Sequence, residues 1–199
     1  RMICIANTSH FSRAVRVDNL PAALNRIGGR QINNIATALA MEQLFVSDNE
    51  LVARYLKKSW VDASEITAHA LALLNLYRQR QSHTPLQADS MLLVALVHNI
   101  GVLPILAEAD HYPEVFADAE FLERAIEELK FVIGAAVVKA WHFADETVDT
   151  LVHFADQQYQ TEEISYLDFV RLAVLCCDSQ RPGDDLAGQL APYIAKGVL

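Results

Sequence analysis

The sequence is short of glycine, proline and cysteine, with seven, six and three of them in 199 residues. So few turn-forming residues argue against a turn-dense β sandwich and exclude collagen-like, low-complexity and linker-rich chains, leaving long helices joined by short connections. Three cysteines, two of them adjacent at Cys176 and Cys177, cannot build a disulfide framework. Their apolar setting reads as small buried thiols of a reducing compartment, with the cytoplasm as the default. Positive charge is scarce too: 16 Lys and Arg face 25 Asp and Glu, a formal net charge of -9. The chain as a whole repels polyphosphates, and nucleic acid is not an expected partner. The longest apolar run, Met91 to Leu106, is interrupted by His98, Asn99, Gly101 and Pro104, so no membrane span and no membrane partner are expected. Asn7-Thr8-Ser9 matches a glycosylation sequon but has no signal peptide beside it and is discounted. The chain opens on Arg1, and Arg1 to Ala6 has the look of a helix end, so further residues are expected upstream.

What is present is a helical pattern. Hydrophobic residues make up 52% of the chain, enough for a folded core, and they recur at helical spacing nearly throughout. Asp18 is a plausible N-cap for a short helix with Pro21 in its first turn, ended by Gly28-Gly29. A second helix is expected from Arg30 to Phe45. Ser47 and Glu50 spell a capping box before the longest pattern, in which Leu56, Trp60, Ala63, Thr67, Ala70 and Leu74 form one seam running on to about Arg80. Thr84, Pro85 and Gln87 spell another start, for a helix that reaches His98. Asp118 caps the next, burying Phe121, Leu122 and Ile126, and Phe131 to Trp141 is helical again around Gly134, a glycine expected to let another backbone approach. Helices over 147–158 and 161–179, a break at Pro182-Gly183 and a short amphipathic tail complete the chain. No repeat and no long linker divides it, so residues 1–199 are expected to form a single all-α domain.

His98-Asn99 is the strongest local anomaly, because it lies inside the most apolar stretch. An interior imidazole or carboxamide without a partner costs about 1–3 kcal/mol, so both side chains must be satisfied by the protein or by a ligand. The sequence HNIG, between two apolar helices, resembles the His-Asp-Ile-Gly motif of the HD superfamily of metal-dependent phosphohydrolases, with Asn99 at the aspartate's place. The order of motifs is similar to that of HDOD domains, the signalling-associated branch of that superfamily. Ile5 to Ile35 resembles its Ala-Asn-Ser helix, loop and Leu-Gly helix. A tryptophan-led helix follows from Trp60, Gly134 to Phe154 resembles its glycine helix with the tryptophan and next helix, and Cys177-Asp178 falls where a late Ala-Asp pair is usual.

The resemblance implies an HD-domain-like helical bundle with a pocket at defined positions. The family's early histidine matches Asp62, its His-Asp pair His98 and Asn99, a histidine four residues before the glycine Lys130, and the late aspartate Asp178; His153 is a further candidate. A carboxamide offers one neutral oxygen where the aspartate would offer a charged, bridging one, and an ammonium at Lys130 would repel a cation. No catalytic residue and no cofactor are therefore expected. The alternative is one divalent metal (Mn, Mg or Fe) held by His98, Asp178 and Asp62.

The resulting expectation is a non-catalytic regulatory HDOD module of bacterial type, acting in signal transduction through a protein partner or through a nucleotide or other small ligand. The competing reading is a divergent metal-dependent phosphohydrolase acting on a nucleotide or phosphate ester. Outside the pocket, His69 reads as a partly buried helix-face residue and His142 as a capping residue near a helix end, where a C-terminus favours a cation. Trp60 and Trp141 read as core anchors, and Cys176 and Cys177 as inert thiols with no histidine at a nearby helical offset.

Overall fold

The computed structural model describes residues 17–18, 20–27, 47–81, 83–178 and 186–199. The expected helix from Arg30 to Phe45, the Arg1 to Ala6 helix end, Gly28-Gly29 and Pro182-Gly183 lie outside these residues. The described residues form eight helices and no strand. Two compact units, Arg1–Glu42 and Gln43–Leu199, share the chain. In the first, α1 spans Leu20–Ile27, with Pro21 in the first turn, where its missing N–H goes unused.

The second unit holds α2 (Glu50–Arg80), α3 (Ala88–Val97), α4 (Val102–His111), α5 (Ala119–Ala140), α6 (Asp145–His153), α7 (Tyr166–Asp178) and α8 (Leu186–Lys196). Helix α2 is the spine. Near its start Val52 and Leu56 pack with Ile105, Leu106 and Leu122 of α4 and α5. Further along, Ile66, Ala70 and Leu74 pack with Met91 and Val94 of α3 and Phe169 and Val170 of α7. The buried α2 stripe of Val52, Leu56, Ser59, Ala63, Ile66, Thr67, Ala70 and Leu74 keeps the expected seam except at Trp60, which is only half-buried, and adds Val52, Ser59 and Ile66. The apolar stretch Ala88–His111 is long and apolar enough to cross a membrane, yet it is two helices broken at 98–101, and 67% of its most apolar window is buried inside the protein.

Several helix ends differ from the sequence expectation, each because a better hydrogen-bond partner lies nearby. Asn49 caps α2, accepting from the N–H groups of Leu51 and Val52 at 3.0 and 3.4 Å. Ser47 instead accepts from Asn49 N–H and donates to Asp110. Thr84 to Gln87 form an extended lead-in to α3, because Gln87 N–H donates to the Tyr166 hydroxyl at 2.9 Å. Asp118 caps α5 as expected, accepting from Glu120 N–H at 3.0 Å, and that helix runs unbroken through Gly134. Leu122 is buried, but Phe121 is 40% exposed and meets Phe116 instead of the interior.

Helices α6 and α7 are shorter than their sequence patterns. The carbonyls of His153, Phe154, Asp156 and Tyr159 turn inward onto the buried Arg171 guanidinium, which holds 154–159 as a loop. Ser165 N–H donates to Asp168 at 2.8 Å, the reciprocal half of a capping box. Lys196 of α8 donates to both Asp168 carboxylate oxygens at 2.8 Å, tying α8 to α7.

Trp141 is not a core anchor: it is 53% exposed and stacks on Phe143. It follows the last turn of α5, where the chain leaves the helix. His142 has φ 55, and its N–H donates to the Lys139 carbonyl while Phe143 N–H donates to that of Val138. This is a Schellman termination with histidine in the left-handed position usually held by glycine, so His142 caps the helix through its backbone.

Candidate functional site

Three short-range bonds fold His98 to Leu103 into a tight corner: Ile100 N–H to Val97, Val102 N–H to Asn99 and Leu103 N–H to Ile100 carbonyls, at 2.9, 3.0 and 3.1 Å. The corner is pressed against α5. A Cβ added to Gly101 would lie 1.9 Å from the Lys130 carbonyl oxygen and 2.5 Å from the Gly134 nitrogen, and one on Gly134 would lie 3.3 Å from the Gly101 nitrogen. Gly134 thus admits another backbone, and the glycine of HNIG is the other half of that approach. With Gly101 locked to α5, His98 and Asn99 reach a cleft of about 520 Å³ between α2, the corner, α5 and α7.

Five of the six expected pocket residues line this cleft: Asp62, His98, Asn99, Lys130 and Asp178. His153 does not. Its ring lies parallel to Tyr159 at 3.7 Å between centroids, and its Nδ1 is 3.1 Å from Asp149 and 3.0 Å from that residue's carbonyl. One helical turn on α6 explains both contacts, so nothing directs this side chain toward α2.

His98 is buried, with Nδ1 2.7 Å from the Ala95 carbonyl. A carbonyl can only accept, so Nδ1 carries the hydrogen and Nε2 the lone pair. Burial above all, opposed by the hydrogen bond to Ala95 and aided by the Lys130 ammonium, pushes its pKa down to about 4, so the ring is neutral near pH 7. Asn99 donates from its amide to the Ser59 hydroxyl at 3.2 Å. Burial raises the Asp62 pKa, with Lys58 and Lys130 opposing and Glu65 and Asp178 reinforcing the rise.

The donor set does not fit a two-metal phosphohydrolase centre. Such a centre needs charged oxygens that bridge ions, and the pair supplies a neutral amide already bonded to Ser59, with a lysine ammonium lining the same space. Among the charged residues of the cleft, Asp62, Glu65, Glu123, Glu127 and Asp178 face only Lys58 and Lys130, so the cleft as a whole is acidic.

The helices, the corner and the cleft agree with what comparison with known proteins finds. The HDOD domain family matches residues 1–157. The chain belongs to the HDOD family. A crystal structure from Shewanella amazonensis SB2B, described as that of a candidate metal-dependent phosphohydrolase, is similar over 98% of this HDOD chain and 70% of its own, with 39% identity and a TM-score of 0.86. No curated protein matches the chain. Asp178, on α7, lies beyond the family match but within the helical unit that lines the cleft.

Sequence reasoning passed over one group of side chains. His69 and Glu65 of α2 and Cys177 of α7 offer potential ligand atoms that all lie within 4.8 Å of one another. Cys176 and Cys177 are only partly buried, and Cys177 Sγ lies 3.6 Å from His69 Nδ1. The absence of a histidine at a nearby helical offset therefore did not leave this thiol alone. The spacing of Glu65 and His69, four residues apart on one helix face, was the available signal.

Proposed function

We propose that this HDOD chain is a non-hydrolytic regulatory module of a signalling pathway, acting by binding a partner protein through the face that carries the acidic cleft. The observation that carries this reading is the carboxamide of Asn99, bonded to Ser59 where the hydrolytic members of the HD superfamily have a metal-bridging aspartate. The excess of carboxylates over lysines in the cleft favours a partner that presents basic groups over a free nucleotide or phosphate ester, which would meet repulsion there.

A divergent phosphohydrolase is the second reading. It draws support from the tautomer of His98, whose Nε2 lone pair is the form a metal ligand requires, and from the likeness to the Shewanella protein. A phosphatase and phosphodiesterase panel with Mn(II), Mg(II) and Fe(II) separates the two. The regulatory reading expects no turnover above that of His98→Ala. Turnover accompanied by stoichiometric metal, with both lost in His98→Ala, would overturn it.

A further inference from the structure

Cys177 and His69 meet across the α2–α7 contact, with Sγ and Nδ1 3.6 Å apart, and Glu65 stands one turn before His69. Ligand atoms about 2.3 Å (sulfur) and about 2.0–2.1 Å (nitrogen) from a tetrahedral zinc must lie roughly 3.6 Å from each other, so thiol and imidazole already have the spacing of neighbouring ligands. We propose that Glu65, His69 and Cys177 form a site for one zinc-like divalent cation, separate from the His98-Asn99 pair, with water from the cleft as fourth ligand.

The donor chemistry selects the ion. One sulfur, one imidazole nitrogen and one carboxylate oxygen suit zinc and cobalt and discriminate against magnesium and calcium, which prefer oxygen alone. The surroundings select for positive charge as well. Burial first, then Glu65, Cys176, Asp178 and Asp62, push the Cys177 pKa up to about 11. A thiol so placed is a poor free nucleophile. The same carboxylates attract a cation, whose charge reverses the balance and yields the thiolate. On binding, the Cys177 S–H bond breaks, sulfur bonds to the ion, and the proton passes to solvent. His69 Nδ1 is 2.9 Å from the Glu65 carbonyl. Binding through Nδ1, the nitrogen 3.6 Å from Sγ, places the ring hydrogen on Nε2 and exchanges the contact with that carbonyl for the bond to the ion. Glu65 and Cys177 also line the cleft, so a bound ion would pin α7 to α2 at its rim and add positive charge there.

The test is a titration of the reduced, chelator-treated chain with Co(II), followed by Zn(II). One equivalent of cobalt is expected to give a thiolate-to-cobalt charge-transfer band, to release one proton and to be displaced by zinc. Cys177→Ser should abolish the band. His69→Ala should weaken binding by at least the roughly 10–100-fold that losing an outer-shell partner costs. Glu65→Gln, at an exposed position of α2, should also weaken binding, and circular dichroism checks that each variant keeps its helicity. Cys176→Ser and His98→Ala should leave the band unchanged. The proposal is overturned by the absence of a charge-transfer band, by a band that survives Cys177→Ser, or by binding lost in His98→Ala but kept in His69→Ala. Turnover in the phosphatase panel would refute the regulatory reading without touching this site, so the two can fail separately.

Discussion

At position 99, the proposed reading turns on a single atom. Replacing a carboxylate oxygen by an amide nitrogen removes a charge and substitutes a donor for an acceptor, and here that donor serves Ser59. Lys130, which lines the same cleft, supplies positive charge from within the protein, where the HD-superfamily pattern has a histidine that would be a neutral ligand. Reversing both changes tests whether these two residues are what sets metal affinity at this pair. Asn99→Asp with Lys130→His should take up Mn(II) at least about tenfold more tightly than the parent chain, a gain of about 1.4 kcal/mol, measured by calorimetric titration in a Cys177→Ser background. Equal affinity in parent and double variant would show that other features of the cleft control binding.

The corner between α3 and α4 is positioned by backbone contact. Gly101 has no room for a Cβ, since the nearest atoms belong to the α5 main chain and cannot rotate aside. Gly101→Ala should therefore cost about 3 kcal/mol or more, at the upper end of overpacking penalties, read as a lower urea midpoint. An unchanged midpoint would mean that α5 slides away freely. Just past the C-terminal end of that helix, His142 sits at φ 55 without a glycine's freedom. His142→Gly should stabilise the chain by up to about 1 kcal/mol, because a left-handed residue with a Cβ carries a penalty of about 1–2 kcal/mol, partly offset by the greater entropy glycine loses on folding. A lower melting temperature in that variant would assign the histidine side chain a role that its backbone does not explain.

Global stability should carry the imprint of the buried His98. Its pKa falls from 6.5 to about 4 on folding, so between these values the unfolded chain binds a proton that the folded chain refuses. The resulting stability is complete above about pH 6.5 and is lost as pH falls toward 4, by about 2–3 kcal/mol. Asp62, with its raised pKa, works in the opposite sense, since its penalty is relieved in acid. Denaturant unfolding at about pH 7 and about pH 4.5, compared with His98→Gln, isolates the histidine. The parent should lose about 2 kcal/mol more than the variant, and parallel losses would rule out this source.

The helical pattern from Glu50 onward, the cap at Asp118, the break at HNIG and the close approach at Gly134 were legible in the sequence. Each rests on local stereochemistry or on hydrophobic periodicity, which a linear pattern carries. The family pattern likewise led to Asp62, His98, Asn99, Lys130 and Asp178, which the fold gathers into one cleft. Packing alone settled the rest. Ser59 took the place of Trp60 in the α2 stripe, Tyr166 held back the start of α3, and Arg171 cut α6 short by drawing the loop's carbonyls inward. His153 went to Tyr159, and Cys177 met His69 across 108 residues of chain. Helical period says which residues share a face, but which faces meet, and at what height, depends on the rotation and axial shift of packed helices, set by contacts far apart in the chain.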